Sequence, residues 1–127
     1  MNVVDSSGWL EYFANGPNAD FFAPAIEDTG NLIIPSISIF EVFKRVLQQR
    51  GESDALQVAA LMQQGQVSNL DVKIALEAAK LSDDYKLPLA DSVILATAQT
   101  YHAVLWTQDV DFNGLPGVQY KPKRAAP

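Results

Sequence analysis

The feature that most constrains the fold of this 127-residue chain is an alternation of short apolar runs with longer stretches of helical periodicity. The apolar runs are NVV at 2–4, NLII at 31–34 and AVLW at 103–106, and each is separated from the next by room for at least one helix. Strands connected through helices run parallel, and strands that are apolar throughout are covered on both faces. The pattern therefore predicts one α/β domain, a three-layer α/β/α sandwich around a central, mostly parallel sheet.

Residues with helix-capping chemistry indicate where several helices begin or end. Ser38 and Glu41 are spaced as an S-x-x-E capping box, and Gly51 follows that helix as a stop signal. Asp71 is expected to cap a later helix, whereas Pro24 is expected to interrupt an earlier one. QVSNL and GVQY are weaker strand candidates, the latter at a sheet edge.

Composition limits the chemistry that the chain can support. It has no cysteine and a single histidine, His102, which excludes disulfides, a zinc site and a Cys–His catalytic pair. A Gly-rich phosphate loop and a G-x-S-x-G motif are both absent. The chain also lacks a signal-peptide pattern and the roughly 20-residue apolar segment of a membrane helix. We therefore expect a cytoplasmic protein with no membrane partner.

The net charge of −6 weighs slightly against nucleic-acid binding, because nucleic-acid-binding proteins usually carry a basic surface. Positive charge is concentrated in FKRVLQQR, which contains Lys44 and Arg45, and in the terminal YKPKRAAP. We predict that residues 1–122 form the domain and that 123–127 are a basic, flexible tail, as chain ends often are.

Acidic residues follow two of the predicted strands. Asp5 comes directly after NVV, and Asp109 and Asp111 closely follow AVLW in TQDVDF. The carboxyl ends of parallel strands meet at one edge of a sheet, where ligands bind in such folds. Asp91 is the only charged residue in LPLADSVILATA, a helix expected to begin at Pro88, and helical spacing puts it at the rim of the apolar face. The topology thus predicts convergence of these acids.

Each acid also has a purely structural interpretation. Asp5 can cap the helix that follows it, and Asp109 or Asp111 can close an Asx turn. Asp91 can interact with the positive N-terminus of its helix, a contribution of about 0.3–1 kcal/mol. These interpretations treat the acids one at a time and do not explain their grouping.

Glu41 lies on a polar helix face, and its spacing favours a structural role. Capping together with Ser38 and an ion pair with Arg45, four residues along the helix, would account for it. Residue spacing alone therefore does not assign Glu41 to a functional site.

A group of carboxylates at one sheet edge requires a compensating charge, since neighbouring carboxylates repel one another and raise each other's pKa. Mg²⁺ prefers oxygen ligands and binds through one or two carboxylates plus substrate phosphate. Asp5, Asp91 and Asp109 are therefore candidate metal ligands. Hydrolysis of a phosphodiester by a metal-activated water is the chemistry that such a site supports, and the cation would also mediate between an acidic chain and an anionic substrate.

Four stretches resemble the PIN-domain nucleases, specifically the VapC-type toxins of toxin–antitoxin pairs. They are VVDSSGWLEYF, IPSISIFEVFKRV, LPLADSVILATA and LWTQDVDF, and together they extend over nearly the whole chain. The resemblance implies an acidic metal site formed by Asp5, Glu41, Asp91 and Asp109. It further implies an endoribonuclease that uses Mg²⁺ or Mn²⁺ to cleave RNA, a homodimer, and inhibition by a VapB-like antitoxin in the active-site groove.

The same resemblance gives supporting roles to the hydroxyls of Ser6 and Thr107. It leaves Asp111 as either a fifth acid or the start of a turn. Lys44 and Arg45 are candidate contacts for RNA phosphates, because they lie close to Glu41 in the sequence.

Two other function classes compete with the nuclease. A PIN-like module could bind RNA or a protein partner without cutting RNA, and the sequence cannot measure turnover. A receiver-type phosphoacceptor domain also uses strand-end acids and Mg²⁺. It is disfavoured because serines follow Asp5, where a second acid is expected, and no lysine stands near Asp109.

Overall fold

The computed structural model describes residues 1–125, in which strands and helices alternate. The strands are β1 (Asn2–Val4), β2 (Leu32–Pro35), β3 (Gln66–Ser68), β4 (Val104–Thr107) and β5 (Val118–Tyr120). The α-helices are α1 (Ser6–Phe13), α2 (Ala19–Glu27), α3 (Ser36–Arg50), α4 (Glu52–Met62), α5 (Val72–Tyr85) and α6 (Leu89–Thr100). Short 3₁₀ turns occupy Thr29–Asn31 and Val110–Phe112. Within these residues, no helix has the length and apolar character needed to cross a membrane.

The five strands form one sheet in the order β3-β2-β1-β4-β5, and every pairing is parallel. The two apolar runs NLII and AVLW form strands that begin and end one residue later than the sequence predicted. The weak candidates QVSNL and GVQY contain β3 and β5, the two edge strands. The prediction of a parallel sheet is confirmed.

The core has two halves, one on each face of the sheet. Val3 and Ile33 pack with α5 and α6, whereas Val4, Leu32 and Ile34 pack with α1 to α4. Successive side chains of a strand point to opposite faces, so both faces of β1 and β2 need apolar residues. The helices on the two faces complete the predicted three-layer α/β/α sandwich, which is confirmed.

The capping box predicted at the start of α3 is wrong. The helix begins at Ser36, directly after Pro35, and has no side-chain cap. Ser38 is already inside the first turn and buried, with no hydrogen-bond partner for its Oγ. Because Pro35 pairs with β3 as the last residue of β2, the chain enters the helix before it reaches the capping motif. Glu41 is thereby released from a capping role.

The interruption predicted at Pro24 is also wrong, because α2 continues through this residue. Pro24 is exposed, while Phe22, Ala25 and Ile26 on either side of it are buried in the core. A proline inside a helix removes one backbone hydrogen bond. Packing of the buried face compensates for that loss. A rule based on the local sequence does not take this packing into account.

Other helix boundaries follow the sequence signals. The Asp71 carboxylate accepts a hydrogen bond of 2.8 Å from the backbone N–H of Ile74 at the start of α5. Gly51 ends α3 with a φ of 92°, a conformation that favours glycine. Pro88 directly precedes α6, as predicted.

Candidate active site

Asp5 connects the end of β1 to the start of α1 and is buried, with 2% of its surface exposed. Its carboxylate accepts hydrogen bonds from the backbone N–H of Gly8 at 2.9 Å, the Ser7 hydroxyl at 2.9 Å and the Thr107 hydroxyl at 2.7 Å. Burial raises the pKa of Asp5 to about 6; these hydrogen bonds oppose the rise, and the charge of Asp109 adds to it. Asp5 is therefore the predicted helix cap, and its carboxylate is held in a fixed orientation.

The start of α1 approaches the sheet closely because Gly8 has no side chain. A Cβ at this position would lie 2.7 Å from the Phe22 ring and 2.7 Å from Val4. The packing around the start of α1 therefore excludes a larger residue at position 8, the position whose backbone N–H binds the Asp5 carboxylate.

Thr107 joins the acid after β1 to the acid after β4. Its hydroxyl donates to Asp5 and accepts from the backbone N–H of Asp109 at 2.9 Å. The Asp109 carboxylate accepts from the backbone N–H of Asp111 at 3.0 Å, which forms the predicted Asx turn. The turn brings Asp111 back toward Asp109. A role of Asp109 in closing the turn is therefore compatible with a role in the acidic group.

The side chains of Asp91, Asp109 and Asp111 form a cluster, with one carboxylate oxygen from each lying within 4.8 Å of the others. Asp91 comes from the first turn of α6, and the other two come from the loop after β4. Asp91 and Asp109 are half-buried, while Asp111 is exposed. In residues 1–125, this is the group of acidic or histidine side chains close enough to share a metal ion; Asp5 lies beside it.

The acids affect one another electrostatically. The pKa of Asp91 is raised to about 7, first by burial and then by the negative charges of Asp109, Asp5, Glu41 and Asp111, in that order. Three separate segments of the chain, the residue after β1, helix α3 and the loop after β4, thus place negative charge around Asp91. A cation at this position would remove the cause of the repulsion.

Glu41 lies on α3 and accepts a hydrogen bond of 2.7 Å from the Ser6 hydroxyl. The ion pair predicted between Glu41 and Arg45 does not form in the described part of the chain. Glu41 instead turns toward the acids, as its effect on the pKa of Asp91 indicates. Lys44 and Arg45 are exposed, and the Lys44 ammonium lies 6.0 Å from the centre of the Phe40 ring.

The donor set of the cluster fits a hard divalent cation. Every side chain of the group offers carboxylate oxygens, which Mg²⁺ and Mn²⁺ prefer over softer ligands such as thiolates. Burial and the repulsion from the neighbouring acids both raise the pKa of Asp91, and such a cation would offset the repulsion.

Sequence reasoning missed a buried amide pair next to the acids. Gln108 accepts a hydrogen bond of 3.1 Å from the side chain of Asn18 and donates to the backbone carbonyl of Ser7 at 3.4 Å. Both amides are buried. The position of Gln108 between Thr107 and Asp109 could have indicated that it lies near the acids. Its hydrogen-bond partner, Asn18, is too far away in the sequence to be inferred.

The basic end of the chain contacts the body of the domain as far as it is described. The Arg124 guanidinium donates to the Pro17 carbonyl at 2.7 Å, and the Asn18 side chain donates to the Pro122 carbonyl at 2.9 Å. Residues 126–127 of the predicted flexible tail lie outside the described residues, and the domain boundary at 122 stays a prediction.

Comparisons with known proteins agree with the fold of the chain. The sequence model of the PIN domain family matches residues 3–118, and no curated protein matches the chain significantly. The toxin–antitoxin complex from Klebsiella pneumoniae has a TM-score of 0.79 and 27% identity, covering 94% of this chain and 96% of that chain. VapC20 from Mycobacterium tuberculosis has a TM-score of 0.74 and 15% identity, covering 91% and 95% of the two chains.

A third similar structure is DNA-bound VapBC from Salmonella typhimurium, with a TM-score of 0.73, 15% identity and coverage of 96% and 97% of the two chains. At such low identity the likeness concerns the fold alone. The family match is more informative, because residues 3–118 include every acid of the cluster together with Asp5 and Glu41. The chain belongs to the PIN domain family.

Proposed function

We propose that this protein is a metal-dependent endoribonuclease and the toxin of a toxin–antitoxin pair. The observation that carries the proposal is the convergence of Asp91, Asp109 and Asp111 within 4.8 Å, beside the buried Asp5. This arrangement occurs in a PIN domain. Among the similar structures, VapC20 is described as a toxin that cleaves the sarcin-ricin loop.

In this proposal Asp5, Asp91 and Asp109 hold Mg²⁺ or Mn²⁺, and the position of Asp111 adds it to the set. When bound, such a cation offsets charge on the phosphodiester and lowers the pKa of water. The hydroxyl of Thr107 fixes the orientation of Asp5 and the backbone at Asp109 together.

Glu41 orients the attacking water in this proposal. The Ser6 hydroxyl binds its Oε1 and leaves Oε2 without an assigned hydrogen bond in the described residues. A carboxylate held on one oxygen can accept a proton from water on the other. Ser6 is therefore a positioning residue that acts through Glu41.

We also propose the partners that the fold suggests. The Klebsiella pneumoniae structure is a toxin–antitoxin complex, and a VapB-like antitoxin over the acidic edge would block access to RNA. A homodimer would cover the apolar surface formed by α5, the start of α6 and the residue two before α5, where several large side chains are exposed. These side chains are Leu70, Val72, Leu76 and Leu89.

The direct test is to incubate the purified protein with total RNA in Mg²⁺, in Mn²⁺ and in excess EDTA, and to map the cleavage ends. We expect cleavage only with a divalent cation and none by the Asp91→Asn variant. Cleavage that persists in EDTA would contradict the metal mechanism. Binding of RNA without cleavage under all conditions would favour the alternative, a non-catalytic PIN-like module that binds RNA or a partner.

A further inference from the structure

The end of the chain offers positive charge at the same sheet edge as the acids. Three of the nine Lys and Arg residues in the sequence follow β5: Lys121, Lys123 and Arg124. Because β5 is parallel to β4, its carboxyl end lies at the edge where β4 delivers Asp109. We refer to residues 121–124 as the basic segment.

Hydrogen bonds hold the basic segment in place. The backbone N–H of Lys121 donates to the Thr107 carbonyl at 3.0 Å, extending the pairing of Tyr120 with Thr107. The buried Asn18 side chain then donates to the Pro122 carbonyl, and Arg124 donates to the Pro17 carbonyl. The segment is thus attached both to the strand that carries the active-site threonine and to the loop between α1 and α2.

The sheet order puts the basic segment next to the acids. Along the carboxyl edge, acids follow β1 and β4, and the basic segment follows β5. Lys123 and Arg124 are exposed, so their charges are available to a ligand. A polyanion lying across this edge would meet the cations of the segment next to the acidic cluster.

We propose that the basic segment binds the phosphate backbone of the substrate RNA and holds it across the acidic cluster. This inference rests on the proposed nuclease function. It explains how a chain with a net charge of −6 recruits an anion, because three positive side chains are concentrated in one short segment beside the acids. Phosphate contacts of this kind position the substrate without reading its sequence.

The test compares two double variants with the same change in charge. Lys121→Gln with Lys123→Gln removes the two lysine charges of the segment and leaves Arg124 and its hydrogen bond intact. Lys73→Gln with Lys80→Gln is the control and neutralises two exposed lysines of α5. Lys73 lines a cleft with Gln99 and His102, at the C-terminal end of α6, whereas Asp91 lies at the N-terminal end of that helix. Both pairs are made in the Asp91→Asn background, and binding of fluorescein-labelled poly(U) is followed by fluorescence anisotropy.

We expect the segment variant to bind poly(U) about tenfold or more weakly than the parent at 0.1 M salt. A plot of log affinity against log salt concentration should also be less steep by about 1.4, which is the value for two lost phosphate contacts on a single strand. The α5 variant should differ little from the parent. Equal losses in the two variants would overturn the proposal, because they would reflect net charge alone. A loss confined to duplex DNA in a parallel titration would also overturn it.

Cleavage assays separate this proposal from the nuclease proposal. If the otherwise wild-type protein cuts RNA and the segment variant cuts and binds as well as it does, the segment proposal alone fails. If no variant cuts RNA but the segment variant binds poly(U) more weakly than the α5 variant, the nuclease proposal fails and the segment proposal is supported.

Discussion

Helices α4 and α6 both have an aspartate as their third residue, yet the two aspartates have different surroundings. Asp54 in α4 is exposed on the outer layer of the sandwich. Asp91 in α6 is half-buried, and four other acids raise its pKa. The first turn of a helix favours an acid in either case. The comparison teaches that position in a helix does not make an acid part of a site; the elements packed beside it do.

The largest expected effect is the contrast between Asp91→Asn and Asp54→Asn. Both substitutions remove one negative charge from the same helix position. We expect Asp91→Asn to reduce RNA cleavage by about 1000-fold or more, because cation binding supplies several kcal/mol of transition-state stabilisation. Asp54→Asn should retain the wild-type rate, as measured by initial rates in Mg²⁺. A similar loss in both variants would break the comparison.

The second prediction concerns the residue that connects the acids. Thr107→Val removes the donor to Asp5 and the acceptor for the Asp109 backbone N–H. We expect cleavage to fall by about 10- to 100-fold, as for residues that orient metal ligands, and stability to fall by about 1–3 kcal/mol. The measurements are cleavage rate against Mn²⁺ concentration and urea denaturation.

Thr107→Ser is the matched control, since it keeps the hydroxyl and removes only a methyl group. The serine variant should recover most of the cleavage rate. If valine and serine are equally active, the hydroxyl does not support the site.

Metal binding should distinguish the two helix starts without any substrate. At a Mn²⁺ concentration about 100-fold above Kd, binding to the native state stabilises it by about 2.7 kcal/mol. We expect a higher melting temperature for wild type and Asp54→Asn, and a much smaller rise for Asp91→Asn. Differential scanning fluorimetry with EDTA as reference provides the measurement, and an unchanged wild-type midpoint would contradict the site.

The smallest expected effect is the pH dependence of stability in EDTA. The pKa of Asp5 is raised to about 6 and that of Asp91 to about 7, from the ordinary aspartate value of 3.8. Between pH 4 and 7 the folded state therefore holds more protons than the unfolded chain, and the free energy of unfolding should fall as pH rises. Asp91→Asn should weaken that fall, whereas Asp54→Asn should not; urea denaturation at several pH values measures it.

Much of the fold could be predicted because its signals are local or periodic. The apolar runs that became β2 and β4 were displaced by one residue, and Asp71 caps α5 as expected. The failures arose where packing outweighed a local rule: α2 continues through Pro24, and α3 starts before its capping motif.

The candidate site also contains residues that local signals predicted and residues that they could not. Topology placed Asp5 and Asp109 at one edge, and helix periodicity put Asp91 at the rim of an apolar face. Glu41 could not be assigned by spacing, because its partner, Ser6, belongs to a different helix. The buried amide pair of Asn18 and Gln108 could not be predicted for the same reason, because the two residues are far apart in the sequence.

The sequence by itself determined the layers of this protein and the strand ends at which its acids gather, because hydrophobic periodicity and parallel connections depend on neighbouring residues. Only the tertiary structure decided that Asp111 joins Asp91 and Asp109, that Glu41 binds Ser6 rather than Arg45, and that the basic segment lies at the acidic edge. Those contacts join residues distant in the chain. Their geometry depends on the packed sheet, which no local pattern contains.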